Sequence, residues 1–194
     1  MFVALLIVVT TTAASGPSDS APHPLGQGLV GKTDLPGTWF PFETSGQSSS
    51  TDLCGRPLRR ATPQDAASIA WAITPDNGPI FGERLERYSS AGEVKRLHDR
   101  TKKLKTPCNW TNPQDGTRWR TVRLTAPRVG QSGQAFLVTS RDRTDSFNYE
   151  VTLRSADTWL HVVLNSRRAN RALLDELVEA AWTKAKKEAG LLDG

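Results

Sequence analysis

Cysteine is scarce in this chain, with two residues among 194. That excludes a zinc ribbon or knuckle built from this chain alone, and it leaves no Cys-x-x-Cys redox motif. A Gly-rich phosphate loop and a βαβ pattern are also missing, which excludes a P-loop or Rossmann protein. There is no Gly-x-Ser-x-Gly and no His-Glu-x-x-His. Only three histidines are present. Nothing calls for a cofactor or a bound metal.

Charge is modest too. The formal excess is +5, with a sequence pI near 9.5. Such a balance favours anionic surfaces, such as lipid headgroups or acidic wall polymers. Nucleic-acid binders concentrate their basic residues more than this. The length suits one domain with tails.

What is present begins with Phe2 to Val9, an unbroken apolar run followed by small residues. It falls short of the roughly 20 apolar residues that span a bilayer. Residues 1–14 read as a signal peptide or its remnant, with cleavage after Ala14. The basic residues that usually precede such a run are absent. An uncleaved anchor is the alternative. With cleavage, peripheral contact is the most membrane association expected. Residues 15–34 are rich in Ser, Gly and Pro and read as a flexible tether. Residues 35–190 are expected to form a single domain outside the cell or at its envelope.

Export gives the cysteine pair meaning. Cys54 and Cys108 are an even count in a chain bound for an oxidising compartment, so one disulfide is expected. It would close a loop of about fifty residues, worth about 4 kcal/mol in the chain-entropy view.

Periodicity supplies the elements. In "ASIAWAIT" (67–74), Ile69, Trp71 and Ile73 alternate as in a half-buried strand. "PDNG" (75–78) is turn chemistry, and a second strand follows over 79–89. Ser90 and Glu93 have capping-box spacing ahead of an amphipathic helix over 91–105, which Pro107 stops. Four further strands are read at 117–124, 134–141, 146–155 and 158–166. Phe147, Tyr149, Val151 and Leu153 are the clearest alternating set. A long helix over 168–189 carries Leu173, Leu174, Leu177, Val178, Ala181, Trp182 and Ala185 as one stripe, with Gly190 at its end. The order predicts an α+β fold. Its curved antiparallel sheet has about five to seven strands, and two helices pack on one face.

Several stretches of this order resemble a known group. They are "DLPGTW", Cys54 in "DLCGRP", "ERLERYSSAGEV", the helix leading to "CNW", "SFNYEVTLRSADTWLHVVL" and "LLDELVEAAWTKA". The resemblance is to the PknH-like extracellular sensor domains of actinobacteria, found in exported proteins, lipoproteins and the outer parts of receptor kinases. It covers most of residues 33–188. It implies an extracellular α+β domain with a cleft between sheet and helices, which in the kinase members is regarded as a ligand site. Two departures stand out. Some members carry four cysteines, and many are lipidated or membrane-anchored.

Among residue candidates, Arg118 and Arg120 share a strand face and suit bidentate contact with an anion. Trp119 and Trp159 could line a pocket or pack in the core. His161 reads as a partly buried hydrogen-bonding residue, with Glu150 or Asp99 available to orient it. Lys95, Arg96, Arg100, Lys102, Lys103 and Lys105 spread over the solvent side of the first helix. These features predict a secreted, non-enzymatic, sensor-like domain that binds a small ligand or an anionic envelope component. The alternatives are a secreted protein-interaction module, such as an inhibitor or scaffold, and a hydrolase with an unrecognised site.

Overall fold

The computed structural model describes residues 24–42, 51–57, 61–74, 78–113, 115–130 and 132–191. The expected signal peptide, residues 15–23 of the expected tether, most of the polar loop after Phe42 and the core of the "PDNG" turn lie outside these residues.

Among the described residues, eight strands form one antiparallel sheet. They are β1 (Phe40–Pro41), β2 (Asp65–Ala72), β3 (Ile80–Arg87), β4 (Cys108–Thr111), β5 (Arg118–Leu124), β6 (Ser132–Ser140), β7 (Phe147–Ser155) and β8 (Thr158–Ser166). The helices are α1 (Pro24–Gln27), α2 (Ala91–Lys102) and α3 (Arg171–Ala189). The spatial order is β1-β2-β3-β8-β7-β6-β5-β4. The fold is α+β as expected, but the sheet exceeds the predicted five to seven strands. The additions are β1 and β4, with two and four residues. Such short edge pieces carry no periodicity to read.

The chain leaves the middle of the sheet after β3, crosses by α2 to the far edge, and returns as the meander β4 to β8. α2 must therefore lie across the strands that the meander later adds. Its N-terminus is capped by the Ser90 side chain, which accepts from the Glu93 N–H. The Glu93 carboxylate accepts from the Ser89 N–H and hydroxyl, one residue earlier than a capping box places it. At the other end, the Arg123 guanidinium donates to the carbonyls of Thr101, Lys102 and Leu104. It thus satisfies carbonyls that the end of the helix leaves open.

Strand register settles which face each helix covers. Phe81, Leu85, Leu160, Val162, Tyr149 and Val151 share one face and form the main core with Leu174, Leu177, Val178, Ala181 and Trp182 of α3. Tyr88 and Trp159 stand on the opposite face and pack with Val94 and Leu97 of α2. The two long helices thus lie on opposite faces of the sheet, not on one. An apolar stripe shows that a helix is buried without showing on which side. The burial of β8, continuous from Thr158 to Leu164, is the local sign of a sheet covered twice. α3 is capped by Asn170, whose side chain accepts from the Leu173 N–H, and ends at Gly190 in the left-handed region.

Residues 24–34 were expected in the tether. Instead they pack into the main core, with Leu25 and Val30 fully buried and α1 against α3. Gly28 permits this approach, since a Cβ there would sit 2.6 Å from the Ala189 Cβ. The Val30 N–H donates to Glu83 Oε2 at 2.9 Å. Glu83 is otherwise surrounded by core, and burial raises its pKa to about 8. The disulfide Cys54–Cys108 is present. It joins the segment between β1 and β2 to β4, which borders the other end of the sheet.

Two outcomes are expected. Reducing the disulfide, whose sequence separation is 54, should lower unfolding free energy in urea by about 4 kcal/mol. Between the ordinary carboxylate value of 4.5 and about 8, folded Glu83 keeps a proton that the unfolded chain has released. Its contribution is full below that window and is lost as pH rises through it. The urea midpoint should therefore fall between about pH 5 and about pH 8, and Glu83→Gln should remove most of that slope.

Candidate functional site

The α2 face of the sheet carries most of the polar side chains that strand alternation buries. Along β7, Asn148, Glu150, Thr152 and Arg154 point to this face, opposite in sense to Tyr149, Val151 and Leu153. A neighbouring row on β3 is Gly82, Arg84 and Glu86. Cross-strand pairing sets Ala70, Gly82, Val163 and Glu150 in one line across β2, β3, β8 and β7. The next line holds Ser68, Arg84, His161 and Thr152.

The first line makes a low floor. Gly82 is half-buried, and a Cβ built there would meet no atom within 4 Å. Its strand neighbours are the small side chains of Ala70 and Val163. Glycine inside a strand is unfavourable unless something must come close to the backbone. Here it leaves space over the sheet beside a buried histidine and carboxylate in contact. His161 Nε2 lies 3.2 Å from Glu150 Oε2, and both side chains are about nine-tenths buried. Arg84 closes one side. Its Nε donates to Glu86 Oε1 at 2.6 Å, and Tyr88 Oη donates to Glu86 Oε2 at 2.6 Å.

A second polar group lies beneath α2. His98 faces the sheet, with Nε2 2.7 Å from Ser132 Oγ, and Arg154 Nε donates to the same hydroxyl at 3.1 Å. Burial lowers the His98 pKa, against the opposing pull of the Asp99 carboxylate. These contacts seat the helix on β6 and β7.

The five residues singled out from sequence do not form one site. Arg118 and Arg120 stand exposed on the other face of β5. Arg118 is held by Asp142, with Nε and Nη2 at 2.8 and 2.5 Å from Oδ1, and this pairing lowers the Asp142 pKa. Trp119 is buried on the α2 face and stacks on Trp110, centroids 6.1 Å apart. Trp110 in turn packs on Gly55 of the disulfide loop. Trp159 packs beneath α2. Only His161 borders the space over Gly82, with Glu150 beside it. The six cationic residues from Lys95 to Lys105 are exposed, and Lys95 pairs with Asp99 at 2.5 Å.

Gly82, Asn148, Thr152 and Asn165 carried no signal that sequence reading used. The available clue was Gly82 itself, a glycine in mid-strand. The polar alternation of β7 does not itself show that α2 covers it.

No family model matches the chain, and no curated protein matches it. Among solved structures, the extracellular domain of PknH from Mycobacterium tuberculosis superposes with a TM-score of 0.61. The match covers 90% of this chain and 100% of that one, at 10% sequence identity. The two share a fold. At that identity the sequences carry no residue-level correspondence.

Trp159→Ala should destabilise the fold by about 3–5 kcal/mol in urea unfolding, because it empties the packing under α2. Arg118→Ala should leave the melting temperature unchanged, since its partner Asp142 stays solvated.

Proposed function

We propose that this chain is an exported, sensor-like domain that works by holding a ligand on the α2 face of its sheet, over Gly82 and beside His161–Glu150. One observation carries the reading. A central strand of a sheet covered on both sides leaves open space at Gly82, next to buried polar side chains. Ligand sites are concave, mostly apolar and fitted with a few placed polar groups. The floor of Ala70, Gly82 and Val163, with Arg84, His161 and Glu150 around it, has that composition.

Export is supported by the disulfide and by the short apolar run with small residues after it. The likeness in fold to an extracellular domain agrees with a place outside the cell or at its envelope. Among the described residues no helix is long and apolar enough to cross a membrane. The exposed cations of α2 supply a salt-sensitive contact to anionic envelope material, separate from the ligand space.

Gly82→Val tests the reading, because the added side chain fits the strand and fills the space. Native mass spectrometry of the wild-type chain isolated from its own host should show a bound small molecule. The G82V chain, with unchanged circular dichroism, should lack it. Wild-type protein arriving bare, or G82V keeping the molecule, would overturn the site.

A further inference from the structure

The polar side chains on the α2 face are not all satisfied. Asn148 and Asn165 stand directly opposite each other on β7 and β8. Asn148 Nδ2 and Asn165 Oδ1 are buried without a hydrogen-bond partner, so these two atoms do not bond each other. Thr152 Oγ1, two residues beyond Glu150, is also buried and unpartnered. Trp119 Nε1 is a further such donor, farther across on β5. A buried polar atom left unmet costs about 1–3 kcal/mol, so each of these atoms favours a partner.

These atoms differ in kind. Asn148 Nδ2 and Trp119 Nε1 only donate, Asn165 Oδ1 only accepts, and the Thr152 hydroxyl does both. The cations on this face are engaged. Arg84 is held by Glu86, Arg154 by Ser132, and Arg123 by the end of α2 and Gln134. The Glu150 carboxylate stands among the unmet atoms and repels an anion. An alkyl chain would leave every one of them dry. Hydroxyl groups, each able to donate and accept, meet all of these demands.

We infer that the ligand of this face is an uncharged polyhydroxylated molecule of the sugar or cyclitol class, hydrogen-bonded by Asn148, Asn165 and Thr152 and entering over Gly82. This inference rests on the ligand-binding reading above and specifies its chemistry. It also moves the expected ligand away from anions and from Arg118 and Arg120.

The test uses nitrogen-15-labelled full chain and follows the side-chain amides of Asn148 and Asn165 by NMR. The probes are glucose, trehalose and myo-inositol, with inorganic phosphate and decanoate as the charged and amphiphilic comparisons. At least one polyol should shift both amides saturably, phosphate and decanoate should not, and Asn165→Leu should weaken the polyol about tenfold, near one neutral hydrogen bond. Shifts from phosphate or decanoate alone would overturn the ligand class and leave the binding face standing. Silence from all probes would overturn the class as well, as would magnetisation transfer to these amides from long-lived buried water only. Host-isolated protein that also carries no small molecule would overturn the binding reading itself.

Discussion

Two-sided burial of the β7–β8 hairpin is the constraint from which the other placements follow. From Asn148 to Leu153 and from Thr158 to Leu164 every residue is buried. A strand pair in that state needs a cover on each face. α3 provides one with an apolar stripe, and the packed residues 24–35 extend that cover. α2 provides the other with fewer apolar contacts and more hydrogen bonds. The difference between the covers separates core from candidate site.

Much of this was legible in the chain because it depends on local rules. Phe147, Tyr149, Val151 and Leu153 alternate, and the last three lie on the α3 face in the main core. Ser90, Asn170 and Gly190 mark helix ends by their own side-chain or backbone chemistry. What was not legible depends on where distant elements meet. Nothing in the stripes of α2 and α3 states which face each will occupy; the return of the meander beside β3 does that. The burial of Leu25 and Val30 was hidden for a similar reason. A Gly- and Pro-rich stretch looks like a tether until a helix such as α3 offers it a groove.

The site follows the same division. His161 with Glu150 as its neighbour could be suggested from strand spacing, and the two do meet. Arg118, Arg120, Trp119 and Trp159 were chosen for their chemical type. Three-dimensional context gives Arg118, Trp119 and Trp159 other employment: an ion pair with Asp142, a stack on Trp110 and a seat for α2. Residue type suggests what a side chain can do. Which of those things it does depends on partners brought in by register.

The Cys54–Cys108 bond has a consequence beyond stabilising a loop. The sheet ends in β1 and β4, and an open sheet edge is a template on which another chain can add a strand. Leu53 in the disulfide loop accepts a hydrogen bond from the Thr121 hydroxyl, and Gly55 rests on Trp110, so the loop is fastened at the β4–β5 margin. The same loop leaves and re-enters the sheet at β1 and β2. The covalent link thus acts as a hem that holds residues 53–55 to the β4 margin. In an oxidising environment that stretch stays fastened over the β4 margin. Where the bond is cut, only the Leu53–Thr121 hydrogen bond and the Gly55–Trp110 contact still hold the loop over the β4 margin, which leaves that edge less protected against strand addition.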